Sequence, residues 1–225
     1  QQYFHLRRTN DSLLKANEVL YNKLRSSYAL PDSADKSVVD SIKVDSIIQY
    51  RKFTYLGARV VSNSVSAPNN FIVLARGKKE GLREGMGVVD PNNNVVGFIT
   101  EVTGNYAVVM SLLHKDSKLQ GKLLRGGETG ILNWDGAEPN MLSLTNIPKT
   151  ATINKGDSIV TWFSTMFPKG LQIGKVEAVF KEKSSNYYRV SFRTAANFYS
   201  LQYAYVIENP DQEPVSQLLE KYKNK

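Results

Sequence analysis

About twelve short apolar alternations crowd residues 58 to 208, and no helix-length period separates them. The stretches run over 58–65, 70–76, 87–90, 95–103, 106–113, 118–124, 130–134, 141–145, 158–162, 173–180, 188–193 and 204–208, and as a set are rich in Val, Ile, Tyr and Phe. A period of two places successive side chains on opposite faces of a pleated strand, so each stretch has one face to bury. The punctuation is equally regular, with Pro91-Asn92-Asn93-Asn94, Gly104-Asn105, Gly126-Gly127, Asp135-Gly136, Lys155-Gly156 and Ser184-Ser185-Asn186 falling between stretches. Strands joined by turns rather than helices predict antiparallel barrels or sandwiches and exclude βαβ units. At 225 residues the chain can bury one large core or two small ones.

The first 30 residues follow a different period. Leu6, Leu13 and Leu20 are spaced by seven, and Tyr3, Asn10, Asn17 and Leu24 form the complementary column. This predicts a coiled-coil stem with leucines at d and two asparagines at a, which would set a parallel two-stranded register. A neighbouring column of Leu14, Tyr21 and Tyr28 widens the apolar stripe, and leaves open that the helix packs on its own domain. Pro31 is the expected helix end. Residues 31–55 then read as a linker, β patterning beginning near Ile47, and residues 210–225 as a polar tail that from Pro214 either forms one helical stretch or frays.

No apolar run approaches the roughly 18 residues that span a bilayer, and residues 1–8 lack the apolar segment of a secretory leader. The absence of cysteine removes disulfides, thiolate metal sites and cysteine nucleophiles. The net charge of +8 is diffuse: +3 over 1–30, +1 over 31–65, +1 over 66–151, +3 over 152–209 and zero over 210–225. A nucleic-acid protein would carry a basic stripe, so a solvated basic surface is the expectation.

The motifs with catalytic overtones fail on chemistry. Gly156-Asp157-Ser158 has the context of a double-barrel serine protease nucleophile, with His114 and Asp116 earlier in the chain. The residues after Ser158 (Ile159, Val160, Thr161) look like a strand entering a core, not a glycine-rich oxyanion turn. His114 and Asp116 are two apart, whereas a triad needs them to converge from separate segments. Two histidines 109 positions apart, with Asp116, Glu128 and Asp135 in no calcium-loop spacing, predict no metal and no cofactor. The glycine-rich stretch 77–87 lacks the Gly-Lys-[Ser/Thr] end of a phosphate loop and reads as turn chemistry, with left-handed glycines. Tyr187, Tyr188, Phe192, Phe198, Tyr199, Tyr203 and Tyr205 near Lys181, Lys183, Arg189 and Arg193 resemble a stacking platform for nucleic acid or glycan, but fit strand and core positions better. One cluster is harder to assign to a core. Trp162, Phe163, Met166, Phe167 and Leu171 crowd one loop with Pro168, as either a partner surface or a plug for a barrel end.

Three segments carry a family resemblance. The first runs Asn69-Asn70-Phe71-Ile72-Val73-Leu74-Ala75-Arg76-Gly77-Lys78-Lys79-Glu80-Gly81-Leu82, followed by Gly85-Met86-Gly87-Val88-Val89 and Val95-Val96-Gly97. The second is Gly130-Ile131-Leu132-Asn133-Trp134-Asp135-Gly136. The third is Gly156-Asp157-Ser158-Ile159-Val160-Thr161, then Phe167-Pro168-Lys169-Gly170-Leu171-Gln172-Ile173-Gly174-Lys175-Val176. In this order, after a leucine-heptad stem, they resemble the rod shape-determining MreC family over about Val60 to Ile207.

The resemblance implies a mainly β fold: an N-terminal coiled-coil helix followed by two small antiparallel six-stranded β-barrels. Residues 69–151 would form one barrel inserted into another built from 56–68 and 152–209. It also implies a non-catalytic, homodimeric scaffold of the peptidoglycan-elongation machinery. That scaffold would sit on the periplasmic face, held by an N-terminal membrane anchor absent from this chain. Its implied partners are an elongation-class penicillin-binding transpeptidase, MreD and other morphogenetic proteins, with no nucleic acid. The family usually has Ser-Gly after the Val-Thr of the third segment. Trp162 and Phe163 stand there instead, which alters the local loop surface.

Overall fold

The computed structural model describes residues 2–24, 28–29, 41–44, 47–181 and 185–223. Among them, helix α1 (Gln2–Lys23) precedes a three-stranded sheet of β1 (Tyr28–Ala29), β2 (Ser41–Val44) and β3 (Ile47–Arg51), in the order β1-β3-β2. Twelve strands then build two barrels, and α2 (Gln212–Lys223) closes the chain. The first barrel contains β4 (Thr54–Asn63), β5 (Asn69–Leu74), β6 (Gly87–Val89), β7 (Val95–Val102), β8 (Ala107–His114) and β15 (Tyr203–Glu208), closed in the order β15-β4-β5-β8-β7-β6. The second contains β9 (Gln120–Leu123), β10 (Thr129–Asn133), β11 (Met141–Pro148), β12 (Ser158–Val160), β13 (Gln172–Lys181) and β14 (Tyr187–Thr194), closed in the order β10-β11-β14-β13-β12-β9. All the barrel pairings are antiparallel. Closure gives every strand two neighbours, so neither barrel ends in an edge strand, the feature that invites aggregation in open sheets.

One barrel is inserted in the other, but the cut falls elsewhere than the resemblance implies. Residues 69–114 belong with 54–63, not with 120–148. β5 forms a hairpin with β4, and β15 returns along the other side of β4, so the host barrel is 54–114 plus 203–208 and the insert is 120–194. Strands adjacent in sequence usually pair, and β4–β5, β6–β7 and β7–β8 keep to that rule, while β5 passes over β6 to pair with β8. The inward faces supply a core in each barrel, and the two join in one buried cluster. Ile72, Leu74, Val88, Val95, Ile99, Val109 and Val206 fill the first, and Leu132, Leu142, Leu144, Ile159, Ile173, Val190 and Phe192 fill the second. At the junction Phe167 packs against Gly87, where any Cβ would overlap its ring, and Asn94 bridges to Gln172.

Two other expectations are revised, and a third is narrowed to one of its alternatives. The stem helix ends at Lys23, and Tyr28 and Ala29 are strand residues. The expected linker 31–55 contains β2, β3 and the first two residues of β4; residues 30–40, with the expected stop at Pro31, lie outside the described residues. The polar tail is helical from Gln212 to Lys223.

α1 is bound to the host barrel through a defect in strand pairing. β4 pairs with β15 from Thr54 to Arg59, but with β5 only from Val60 onward. The backbone of Tyr55 and Gly57 is therefore without a strand neighbour on one side, and unmet backbone groups are costly when buried. Side chains take the neighbour's place. Tyr55 N–H donates to Asn22 Oδ1 at 2.6 Å, and Asn22 Nδ2 donates to Tyr55 O at 3.0 Å. Gly57 N–H donates to Glu18 Oε2 at 2.6 Å, while Arg76 donates to Gly57 O at 2.8 Å and pairs with Glu18 at 3.2 Å. Gly57 itself permits this approach, because a Cβ there would lie 2.9 Å from the Leu14 side chain.

Candidate functional site

The docked face of α1 is built from Leu14, Asn17, Glu18, Tyr21 and Asn22, spaced as one helical stripe. Tyr21 stacks on Tyr55 at 5.1 Å, meets Tyr205 edge-on at 5.0 Å, and donates its hydroxyl to Pro91 O at 2.6 Å. Tyr205 donates to Leu14 O at 3.2 Å and also meets the Asn17 side chain. Burial raises the pKa of all three tyrosines above the ordinary phenol value, that of Tyr55 to about 12. For Tyr21 the charge of Asp90 adds to the effect; for Tyr55 and Tyr205 the nearby amides of Asn93 and Asn17 oppose it.

The leucine column lies elsewhere on the same helix. Leu13 is one residue from Leu14, which is about 100° around an α-helix. Leu6, Leu13 and Leu20 are 60%, 54% and 61% exposed, with Leu24 and Asn10 also exposed beside them. Asn17 departs from the expected pattern, because its engagement with Tyr205 takes it out of an asparagine ladder at a. The side chain of Tyr3 lies outside what the structure describes.

The aromatic loop, residues 161–171, divides in two. Its neck is closed by Thr161: Oγ1 donates to Pro168 O at 2.6 Å and accepts Leu171 N–H at 2.9 Å, and the backbones of Thr161 and Leu171 also pair. Phe167 and Leu171, both in the expected surface, are instead buried, Phe167 as the plug against Gly87. Trp162 and Met166 are half-buried, and Phe163 is 72% exposed. Trp162 and Phe163 pack edge-to-face at 4.8 Å. Lys122 Nζ lies 3.3 Å above the Trp162 ring, and Lys169 Nζ is 4.8 Å from Trp162 and 4.5 Å from Phe163. Val215 and Leu219 of α2 line a groove of about 740 Å³ together with Trp162, Phe163 and Lys169. Sequence reasoning passed over the lysines and α2. Lys169 was visible as a neighbour of the loop, but Lys122 comes from β9 and nothing local signals it.

The catalytic-looking residues are dispersed. Ser158 is on β12 of the insert, whereas His114 ends β8 of the host, buried edge-on to Phe71 with Nδ1 accepting the Asp116 N–H at 3.0 Å. Asp157 ties the turn instead, accepting from Asn154 N–H at 2.8 Å and pairing with Arg125 at 3.4 Å after the left-handed Gly156. In the stretch 77–87, Gly81 and Gly85 are left-handed, as turns require, while Gly77 and Gly87 are not. Of the aromatic-basic set, Phe192, Phe198 and Tyr205 are buried and so unavailable for stacking, Lys181 lies over Tyr188 at 5.9 Å, and Lys183 lies outside the described residues. Among the described residues no three His, Asp or Glu converge as metal ligands, and no helix is long and apolar enough to cross a membrane.

The barrel pair, with its insertion and preceding helix, matches a known architecture. The model of the rod shape-determining protein MreC barrel core matches residues 60–208. The chain belongs to the MreC family. Cell shape-determining protein MreC of Haemophilus influenzae is 27% identical over 195 residues, covering 80% of this chain and 54% of its own length. That of Listeria monocytogenes is 25% identical over 193 residues, covering 83% and 63%. The chain thus spans less than two thirds of these MreC relatives. Among solved structures, MreC of Listeria monocytogenes superposes with TM-score 0.61 at 23% identity over 92% of this chain and 91% of its own. A complex between penicillin-binding protein PBP2 and MreC from Helicobacter pylori gives TM-score 0.54 at 19% identity over 71% and 99%. The MreC family is one of structural, shape-determining proteins.

Proposed function

We propose that this chain is the extracytoplasmic part of a membrane-anchored, non-catalytic scaffold of cell-wall elongation, which dimerises through α1 and holds a penicillin-binding transpeptidase. The observation that carries this reading is the division of α1 into two faces. One face is consumed in docking on the host barrel, and the other presents an unpartnered leucine stripe to solvent. A lone exposed leucine is ordinary, but three at heptad spacing form a seam. Two copies joined there keep their barrels rigidly disposed, because each helix is fixed to its own barrel, and a partner bound to both gains from effective concentration. The partner surface is the exposed half of the aromatic loop, Trp162, Phe163 and Met166. The complex of the Helicobacter pylori relative supports a transpeptidase as partner. MreD and other morphogenetic proteins are the further partners that the family suggests.

Crosslinking and co-purification of the membrane-anchored form tests the assembly. The expected result is a crosslinked homodimer that retains the transpeptidase, with retention lost in Phe163→Ala. A monomer that retains the transpeptidase fully would overturn the dimeric scaffold.

A further inference from the structure

We infer that the groove between the aromatic loop and α2 receives an acidic segment of a partner protein, inserting an apolar side chain beside Met166 and placing carboxylates over Lys118 and Lys169. The inference rests on the reading of this loop as a partner surface and specifies the chemistry of what binds there. Much of the lining is apolar, with Trp162, Phe163 and Met166 from the loop and Val215 and Leu219 from α2. The charged lining is of one sign: Lys52, Lys118 and Lys169, with no acidic side chain among the described lining residues.

Among the described residues only Lys52 is neutralised, by Asp211 at 3.3 Å. Lys118 donates to two neutral oxygens, Lys115 O at 3.0 Å and Asn133 Oδ1 at 2.7 Å. Lys169 and the adjacent Lys122 lie against aromatic rings without a carboxylate partner among the described residues. Cation–π contact orients an ammonium but leaves its outer N–H groups available to an anion. Such a one-sign, partly apolar lining attracts a complementary segment and repels a basic one. The shape favours a peptide over a bilayer, because these apolar side chains line a groove of about 740 Å³, which fits an inserted side chain better than a lipid surface.

Tryptophan emission provides a direct readout. Trp134 is buried and bonded to Glu138 O at 3.1 Å, so a change on adding ligand reports Trp162. The probes are a short amphipathic peptide of leucine and glutamate, its leucine–lysine counterpart, and phosphatidylglycerol vesicles. The leucine–glutamate peptide is expected to alter the emission, with affinity falling as salt rises. In the Lys118→Glu, Lys169→Glu double variant that affinity should drop about tenfold or more, and preference should pass to the leucine–lysine peptide. Both lysines are exposed, and an unchanged thermal melt confirms that the variant folds. Equal binding of both peptides, no response to either, or a response to vesicles alone would overturn the inference. Its failure is separable from failure of the partner surface. If the transpeptidase is lost by Phe163→Ala but retained by the double variant, the surface stands and the acidic segment does not.

Discussion

The side-chain amide of Asn22 sits against the backbone of Tyr55 as a neighbouring strand would, accepting its N–H at 2.6 Å and donating to its carbonyl at 3.0 Å. A helix thereby completes an edge of a barrel. Asn22→Ala leaves both Tyr55 groups unmatched at a half-buried site, which should cost on the order of 1–3 kcal/mol. The loss should be local. Amide exchange at Tyr55 and Gly57 is expected to rise strongly, while amides on β10 and β11 of the insert stay protected. Uniform loss of protection across both barrels would refute the view that α1 docks as a separable unit.

The same junction sets an alkaline limit. Tyr55 is fully buried, and its hydroxyl finds no hydrogen bond of normal geometry even though the Asn93 side chain is near. Burial lifts its pKa from 10.0 to about 12. An acid whose folded pKa is raised holds its proton longer when folded, so the native state binds more protons between the two values. Stability should therefore be level below about pH 10 and fall as pH rises toward 12, by on the order of 2–3 kcal/mol from this residue. Tyr55→Phe removes an unpartnered hydroxyl, so its melting temperature at neutral pH should match or exceed that of the parent. Its alkaline decline should be shallower. Melts from pH 8 to 12 decide the matter, and identical slopes would discard it.

The twelve barrel strands were legible because each is a local alternation, and local periodicity survives in the sequence whatever the strand pairs with. The division between barrels was not. Both cores ask for the same Val-Ile-Leu alternation, so nothing in residues 69–114 says that they pair with β4 and not with the insert. Asn22 and Glu18 carried no signal either, since polar side chains on a helix usually mark the solvated side. Here they serve a strand edge more than 30 residues away. The loop residues were found as a cluster, but burial separates Phe167 from Phe163 only once Gly87 is brought beneath it.

Self-association through the leucine stripe is expected to follow its exposure pattern. Leu13→Ala and Leu20→Ala should each weaken a well-formed seam by about 2–5 kcal/mol if the side chain is fully buried in the dimer. Leu14→Ala, one position round the helix, should instead loosen α1 from its own barrel and leave the seam in place. Sedimentation of the three variants beside the parent chain separates these outcomes. A parent that remains monomeric at high micromolar concentration, or a Leu14→Ala effect on association equal to that of Leu13→Ala, would defeat the two-face reading of α1.

Phe163 and Phe167 lie in one loop yet should respond to alanine in opposite ways. Phe167 is 3% exposed and packs against Gly87 at the junction of the barrels, so its removal opens a cavity between two cores. Loss of a buried phenylalanine typically costs about 3–5 kcal/mol. Phe163 projects into solvent beside Lys169, and its removal should change stability by no more than about 0.5 kcal/mol. Binding should show the reverse preference. Phe163→Ala removes an accessible aromatic anchor of the kind that dominates interfaces, whereas any effect of Phe167→Ala on binding should track the fraction of protein folded. Urea denaturation gives the stability of each variant, and transpeptidase retention measured well below the unfolding midpoint gives the binding. If Phe163→Ala were the more destabilising of the two, the loop would be a plug throughout, and the partner surface would have to be sought elsewhere on the barrels.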